Sequence, residues 1–167
     1  MKIKQIPEDF VVEEVLEIKT SNEKKDYCIV KITKVSWDTF GLVNKLSENL
    51  KINSKFIGFA GMKDKHARTT QHFSLYKITE KAIKSITIKD ANISFVGYSE
   101  NRINLGDLKG NTFRITIRDI DEKIKIPKSL QLENYFDEQR FGNKVNTHLI
   151  GKAIIKRDFK GACELLE

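Results

Sequence analysis

Tyr27-Cys28-Ile29-Val30-Lys31-Ile32-Thr33-Lys34-Val35 alternates with the period of a β-strand. Tyr27, Ile29, Lys31 and Thr33 fall on one face, and Cys28, Val30, Ile32 and Lys34 on the other. Upstream, residues 10–18 read as a second strand, and the polar residues 19–26 between them have the turn chemistry of a hairpin. Downstream, Asp38 or Thr39 can cap a helix on which Phe40, Val43, Leu46 and Leu50 recur at helical spacing. Residues 56–60 form a short apolar strand, followed by the glycine-flanked loop Gly61-Met62-Lys63-Asp64-Lys65. Further strands are predicted at 71–77, 93–99 and 112–119, with a short helix at 79–86. From Leu130 turn residues and an aromatic cluster lead into a helical run from Thr147, with Leu149, Ala153, Ile154, Ala162, Leu165 and Leu166 as apolar positions. Strands come first and helices gather later, which predicts an α+β fold. The last residues stop inside an amphipathic pattern without a C-cap glycine, and this reads as a truncated chain.

The 167 residues are 40% hydrophobic and 32% charged, the balance of a soluble globular protein with enough chain for a real core. No apolar run approaches the ~18 residues of a membrane span, and Met1-Lys2-Ile3-Lys4 is not a signal peptide. Cys28 and Cys163 are far apart and form no C-x-x-C, so a disulfide framework, a zinc ribbon and a thioredoxin-type site are poor readings. A reducing cytoplasm is the expected compartment. The net charge is +7, and it is uneven: residues 51–110 hold 11 basic and 5 acidic side chains. Such a local excess suits a polyanion, because phosphate contacts release condensed counterions. A lysine-rich solvated surface would look the same.

Three segments could carry chemistry. In Gly58-Phe59-Ala60-Gly61-Met62-Lys63-Asp64-Lys65-His66-Ala67-Arg68-Thr69-Thr70-Gln71, one carboxylate sits among Lys63, Lys65 and Arg68. Nearby cations favour an ionised Asp, able to act as nucleophile or base on a substrate whose phosphates they hold. The alternative is a turn Asp with surface ion pairs of little worth. In Gly106-Asp107-Leu108-Lys109-Gly110-Asn111-Thr112-Phe113-Arg114, Asn111 can read a base edge and Phe113 can stack on a base, or Phe113 can lie in the core. In Asn134-Tyr135-Phe136-Asp137-Glu138-Gln139-Arg140-Phe141-Gly142, the aromatics with Gln139 and Arg140 form either a stacking lip or a packed corner. His66, His72 and His148 fit no metal pattern, and neither a nucleotide-binding glycine loop nor a nucleophile elbow is present, so no metal and no nucleotide cofactor are expected.

These three segments in this order, with the opening Pro7-Glu8-Asp9-Phe10-Val11-Val12-Glu13-Glu14, strongly resemble the TruD family of tRNA pseudouridine synthases. The resemblance covers nearly the whole chain. It implies a mixed, largely antiparallel sheet with helices on one face, and isomerisation of uridine to pseudouridine in tRNA, typically at position 13, without cofactor or metal. Carried over by motif, Asp64 is the catalytic aspartate. A flipped base clamped by a ring suits a reaction that must hold a detached uracil, with Phe113 as the ring and Asn111 beside it. Lys63 or Arg68 would orient Asp64 or a phosphate. Residues 137–138 read Asp-Glu where the family more often has Gly first. Family members are also roughly twice as long, so residues 1–130 are expected to be the first part of the catalytic domain and residues 131–167 the start of an insertion domain. The alternative is a catalytically incomplete RNA-binding fragment, with self-association through an incomplete sheet or helix surface as a further expectation.

Overall fold

The alternation in residues 27–35 forms a nine-residue strand at the heart of a computed structural model, which describes residues 2–120, 129, 131 and 146–166. In chain order the strands are β1 (Lys2–Ile3), β2 (Phe10–Val15), β3 (Tyr27–Val35), β4 (Ile57–Phe59), β5 (Arg68–Tyr76), β6 (Ala91–Ser99), β7 (Gly110–Ile115) and β8 (Ile117–Arg118). The helices are α1 (Thr39–Leu50), α2 (Glu80–Lys84), α3 (Thr147–Ile155) and α4 (Phe159–Glu164). Two compact units result, Met1–Lys123 and Ile124–Glu167.

In the first unit the main sheet runs β6-β3-β5-β2-β7, with β4 also paired to β5. The β2–β5 pair is parallel and the other pairs are antiparallel, so the sheet is mixed and largely antiparallel. The hairpin expected across residues 19–26 does not form. β5 lies between β2 and β3, pairing Thr70 with both Glu13 and Thr33. Residues 19–26 form a crossing connection instead, tied down by a bridge between Ser21 and Tyr98. Turn chemistry fixes that a chain bends; it does not fix which strand it meets next. At the β3–β6 pair the register shifts between Ile29 and Val30. Val96 is the extra residue of this bulge, and Gly97 (φ +155°) borders it where a Cβ would come within 2.9 Å of Thr20.

Cys28, Val30 and Ile32 of β3 and Phe73 and Leu75 of β5 are fully buried on one face, under Leu42, Val43 and Leu46 of α1 and Ile83 of α2. Truncating a side chain such as Leu46 here should cost about 2–5 kcal/mol. Asp38 caps α1 by accepting the Gly41 N–H at 2.8 Å. Phe40, expected on the inner stripe, is instead 59% exposed and meets Phe59 edge-on, with Leu42 taking the inner position. The strand expected at 112–119 breaks at Thr116, whose N–H leaves the ladder for the Asp9 carbonyl.

In the second unit the expected helical run is two helices. The break falls at Arg157, which has a left-handed φ of +60°, and Asp158 caps α4 through the Gly161 N–H at 2.9 Å. Tyr135, Phe136, Gln139, Arg140 and Phe141 lie outside the described residues.

Candidate active site

Helices α1 and α2 cover the β6-β3-β5 part of their face. By register, Phe10, Val12 and Glu14 of β2 and Asn111 and Phe113 of β7 continue that face beyond β5. The loop between β4 and β5 lies at this boundary and is sewn down from both sides. Gln71 Nε2 donates to the Gly61 carbonyl at 2.7 Å, and the Lys63 N–H donates to Thr39 Oγ1 at 3.0 Å. Thr39 in turn donates to Gln71 Oε1 at 3.0 Å, so the hydroxyl that starts α1 is both donor and acceptor.

Lys63 then turns inward. Its Nζ lies 3.1 Å from Glu14 Oε1, with side-chain exposures of 5% and 0%. Glu14 Oε2 accepts the His72 N–H at 2.9 Å, while the His72 ring nitrogen, at 3.8 Å, is beyond hydrogen-bond reach. Burial pushes the Glu14 carboxyl up, but the adjacent His72 ring and N–H and the Lys63 ammonium outweigh it and hold it below the usual glutamate range.

Asp64 faces outward. Its side chain is 50% exposed, and Oδ2 lies 3.0 Å from Lys4 Nζ. That ammonium sits 4.0 Å from the centroid of the Phe10 ring, and Phe10 lies 6.0 Å from Phe113 at a tilt of 58°. A cavity of about 170 Å³ opens here, lined by Phe10, Val12, Met62, Lys63, Asp64, Asn111 and Phe113. Phe113 is 55% exposed rather than packed in the core, and Asn111 Oδ1 is buried without a hydrogen bond from any described residue.

Of the residues singled out from sequence, Asp64, Lys63, Asn111 and Phe113 thus line one cavity. Arg68 does not. It opens β5 between Val11 and Val35, exposed and away from the lining. Lys63, expected to orient Asp64 or a phosphate, instead has its ammonium engaged by Glu14.

Lys4, Phe10, Glu14 and Lys34 were missed by the reading from sequence. Lys4 gave no local signal. Glu14 and Lys34 did, because strand alternation places each on the face that carries the core. Lys34 is fully buried, donates to the Trp37 carbonyl at 2.5 Å, and is pushed down to about 8 by burial, against the pull of Asp38 and Asp64. Lys63 adds to the downward push. Among the described residues, no three His, Cys, Asp or Glu side chains converge as a metal site, and no helix is long and apolar enough to cross a membrane.

A family model described as tRNA pseudouridine synthase D (TruD) matches residues 1–166. The chain belongs to the TruD family. A probable tRNA pseudouridine synthase D of Archaeoglobus fulgidus is 41% identical over 169 residues, which cover 96% of this chain and 41% of that protein. Its counterpart in Thermococcus onnurineus is 39% identical, over 98% of this chain and 41% of that one. The crystal structure of the putative TruD protein of Methanosarcina mazei superposes with a TM-score of 0.76 at 36% identity, covering 96% of this chain and 39% of that one. This TruD-family chain therefore spans about two fifths of the length of these relatives.

Proposed function

We propose that this chain is the Asp64-bearing part of a tRNA pseudouridine synthase, isomerising uridine to pseudouridine, at position 13 of tRNA, in the cytoplasm. In this reading residues 1–130 belong to the catalytic domain and residues 131–167 begin its insertion. The bond from the ribose anomeric carbon to uracil N1 breaks, the ring turns, and the ribose rejoins through C5. The proton lost from C5 is balanced by one gained at N1, so nothing is oxidised or reduced. Asp64 supplies the carboxylate that engages the ribose or the ring. Phe113 offers an exposed face for stacking the flipped base, and Asn111 lines the same cavity beside it as the residue to read the base edge.

The observation that supports this reading most is the convergence of Asp64, Asn111 and Phe113, from two separate segments, on one cavity. The test is tritium release from tRNA labelled at C5 of uridine, with the parent beside Asp64→Ala. Release by the parent alone is the expected result, and equal release from both overturns the role of Asp64. The second reading, an RNA-binding fragment with an incomplete cleft, is favoured by the length of the relatives. It predicts no release from either protein, together with tRNA binding that falls steeply with salt.

A further inference from the structure

Behind the exposed Lys4–Asp64 pair stands a second pair that does not line the cavity. Asp9 is 1% exposed, and its Oδ2 accepts the N–H groups of Gln5 at 3.2 Å and Ile6 at 3.3 Å. Arg118 grips the same carboxylate with both arms of its fork, Nη2 to Oδ1 at 2.7 Å and Nε to Oδ2 at 2.8 Å. The Asp9 carbonyl accepts the Thr116 N–H at 2.7 Å, and β1 pairs with β8 so that Lys2 faces Arg118 and Ile3 faces Ile117. Residues 2–3 and 5–9 are therefore both tied to residues 116–118, one by strand pairing and the other through Asp9. Lys4 lies between these two anchorages. Its φ is +55°, in the left-handed region that a residue with a side chain enters mainly where the chain turns, as Lys51 and Lys77 also do here.

We propose that the Arg118–Asp9 pair is a positioning device for Lys4, holding its backbone in the left-handed turn that delivers Nζ to Asp64 over the Phe10 ring. Its catalytic importance rests on the reading of Asp64 given above; the positioning itself does not. Arginine suits the task because its planar fork fixes the direction of the carboxylate as well as its charge. The carboxylate's remaining lone pairs are thereby aimed at the Gln5 and Ile6 N–H groups, next to Lys4. Asp9 and Arg118 do not themselves line the cavity, and they reach it by two routes, through the turn at Lys4 and through Phe10, which follows Asp9 in the chain.

Proton NMR of the intact chain provides the test. The Lys4 ammonium lies 4.0 Å from the Phe10 centroid, nearer than Lys55 and Lys77 lie to their rings at 5.2 and 5.1 Å, so the Lys4 Hε methylene is expected upfield of the other lysine Hε groups in the parent. Arg118→Gln and Asp9→Asn are compared at a temperature where circular dichroism shows each to be folded. The expected result is that the upfield shift is largely lost in both, while the shifts of the core residues Ile29 and Phe73 stay in place. Arg118→Lys, which keeps the charge but not the fork, should lose it too. If Asp9→Asn fails to fold, Arg118→Gln, on a side chain 46% exposed, carries the test alone. An unmoved Lys4 signal in a folded but less stable Arg118→Gln means a merely structural pair, and overturns the proposal. So does a parent whose Lys4 signal is not displaced. Tritium release plays no part in this readout, so failure of the isomerisation reading and failure of this proposal are distinguishable.

Discussion

Lys63 and Asp64 are neighbours in the chain, yet they meet opposite environments. Lys63 points into the fold and pairs with Glu14 where both side chains are almost fully excluded from water. Asp64 points out and pairs with Lys4, with half its side-chain surface exposed. A buried charge pair adds little net stability when intact but is costly to break, because the surviving partner is left unsolvated. An exposed pair is cheap to form and to release. The buried pair therefore fixes where the loop is, and the exposed pair leaves a carboxylate free to exchange its lysine for another cation or for water. Asp64 can stay accessible because its neighbour is not.

The sharpest way to break this comparison is Glu14→Ala. It strands the Lys63 ammonium and should destabilise the protein by about 3–5 kcal/mol, read from urea unfolding midpoints. A loss no larger than that of Asp64→Ala would remove the distinction. Phe113→Ala tests the open side from the ligand's direction. Loss of a stacking face should weaken tRNA binding by about 1–3 kcal/mol at fixed salt, with unfolding little changed because the ring is 55% exposed.

Lys34 sharpens the electrostatics of the closed side. Its folded value of about 8 lies below its usual 10.5, so across that interval the unfolded chain holds a proton that the folded chain lacks. Stability should therefore rise with pH from about 8, by at most about 1.4 kcal/mol per pH unit. Cys28 works the other way above pH 9.0, its thiol being pushed up to about 12 by burial. Between pH 8 and pH 9 the lysine outweighs the thiol, which is only partly ionised in the unfolded chain. Urea midpoints rising there in the parent but not in Lys34→Met would establish the effect; parallel profiles would rule it out. The smallest change is expected for Lys4→Met, which should alter stability by about 0–1 kcal/mol and lose even that in high salt.

Much of this arrangement was legible in the sequence, because its signals were local. The β3 alternation and the Asp38 cap on α1 each involve residues within one turn or one pleat of each other. Pairing was not legible in the same way. Residues 10–18 and 27–35 flank a turn-like segment, and nothing within them reveals that β5 will enter between them. For the candidate site, Asp64, Asn111 and Phe113 were singled out by their motifs and the fold gathers them on one cavity, whereas Lys4 and Arg118 make contacts that no spacing encodes. Glu14 and Lys34 could have been found by asking why a strand puts a charge on its apolar face. Phe40 misled because apolar residues at helical spacing also occur on helix faces that meet water.

The place of β2 in the sheet bears on how the protein acquires its site. Val11 is paired with Arg68 on one side and Arg114 on the other, and both partners follow it by a long stretch of chain. During synthesis β2 and β3 both wait for β5; β3 then completes its pairing with β6, while β2 completes its own only with β7, the later strand. Such distant pairings are slow, and a waiting apolar strand is open to capture by other chains. Lys4, Phe10 and Glu14 all travel with that strand, and their partners arrive only with residues 63–64 and 111–118. The cavity lining thus comes from three stretches synthesised at different times, and it is complete only after β7 has joined β2.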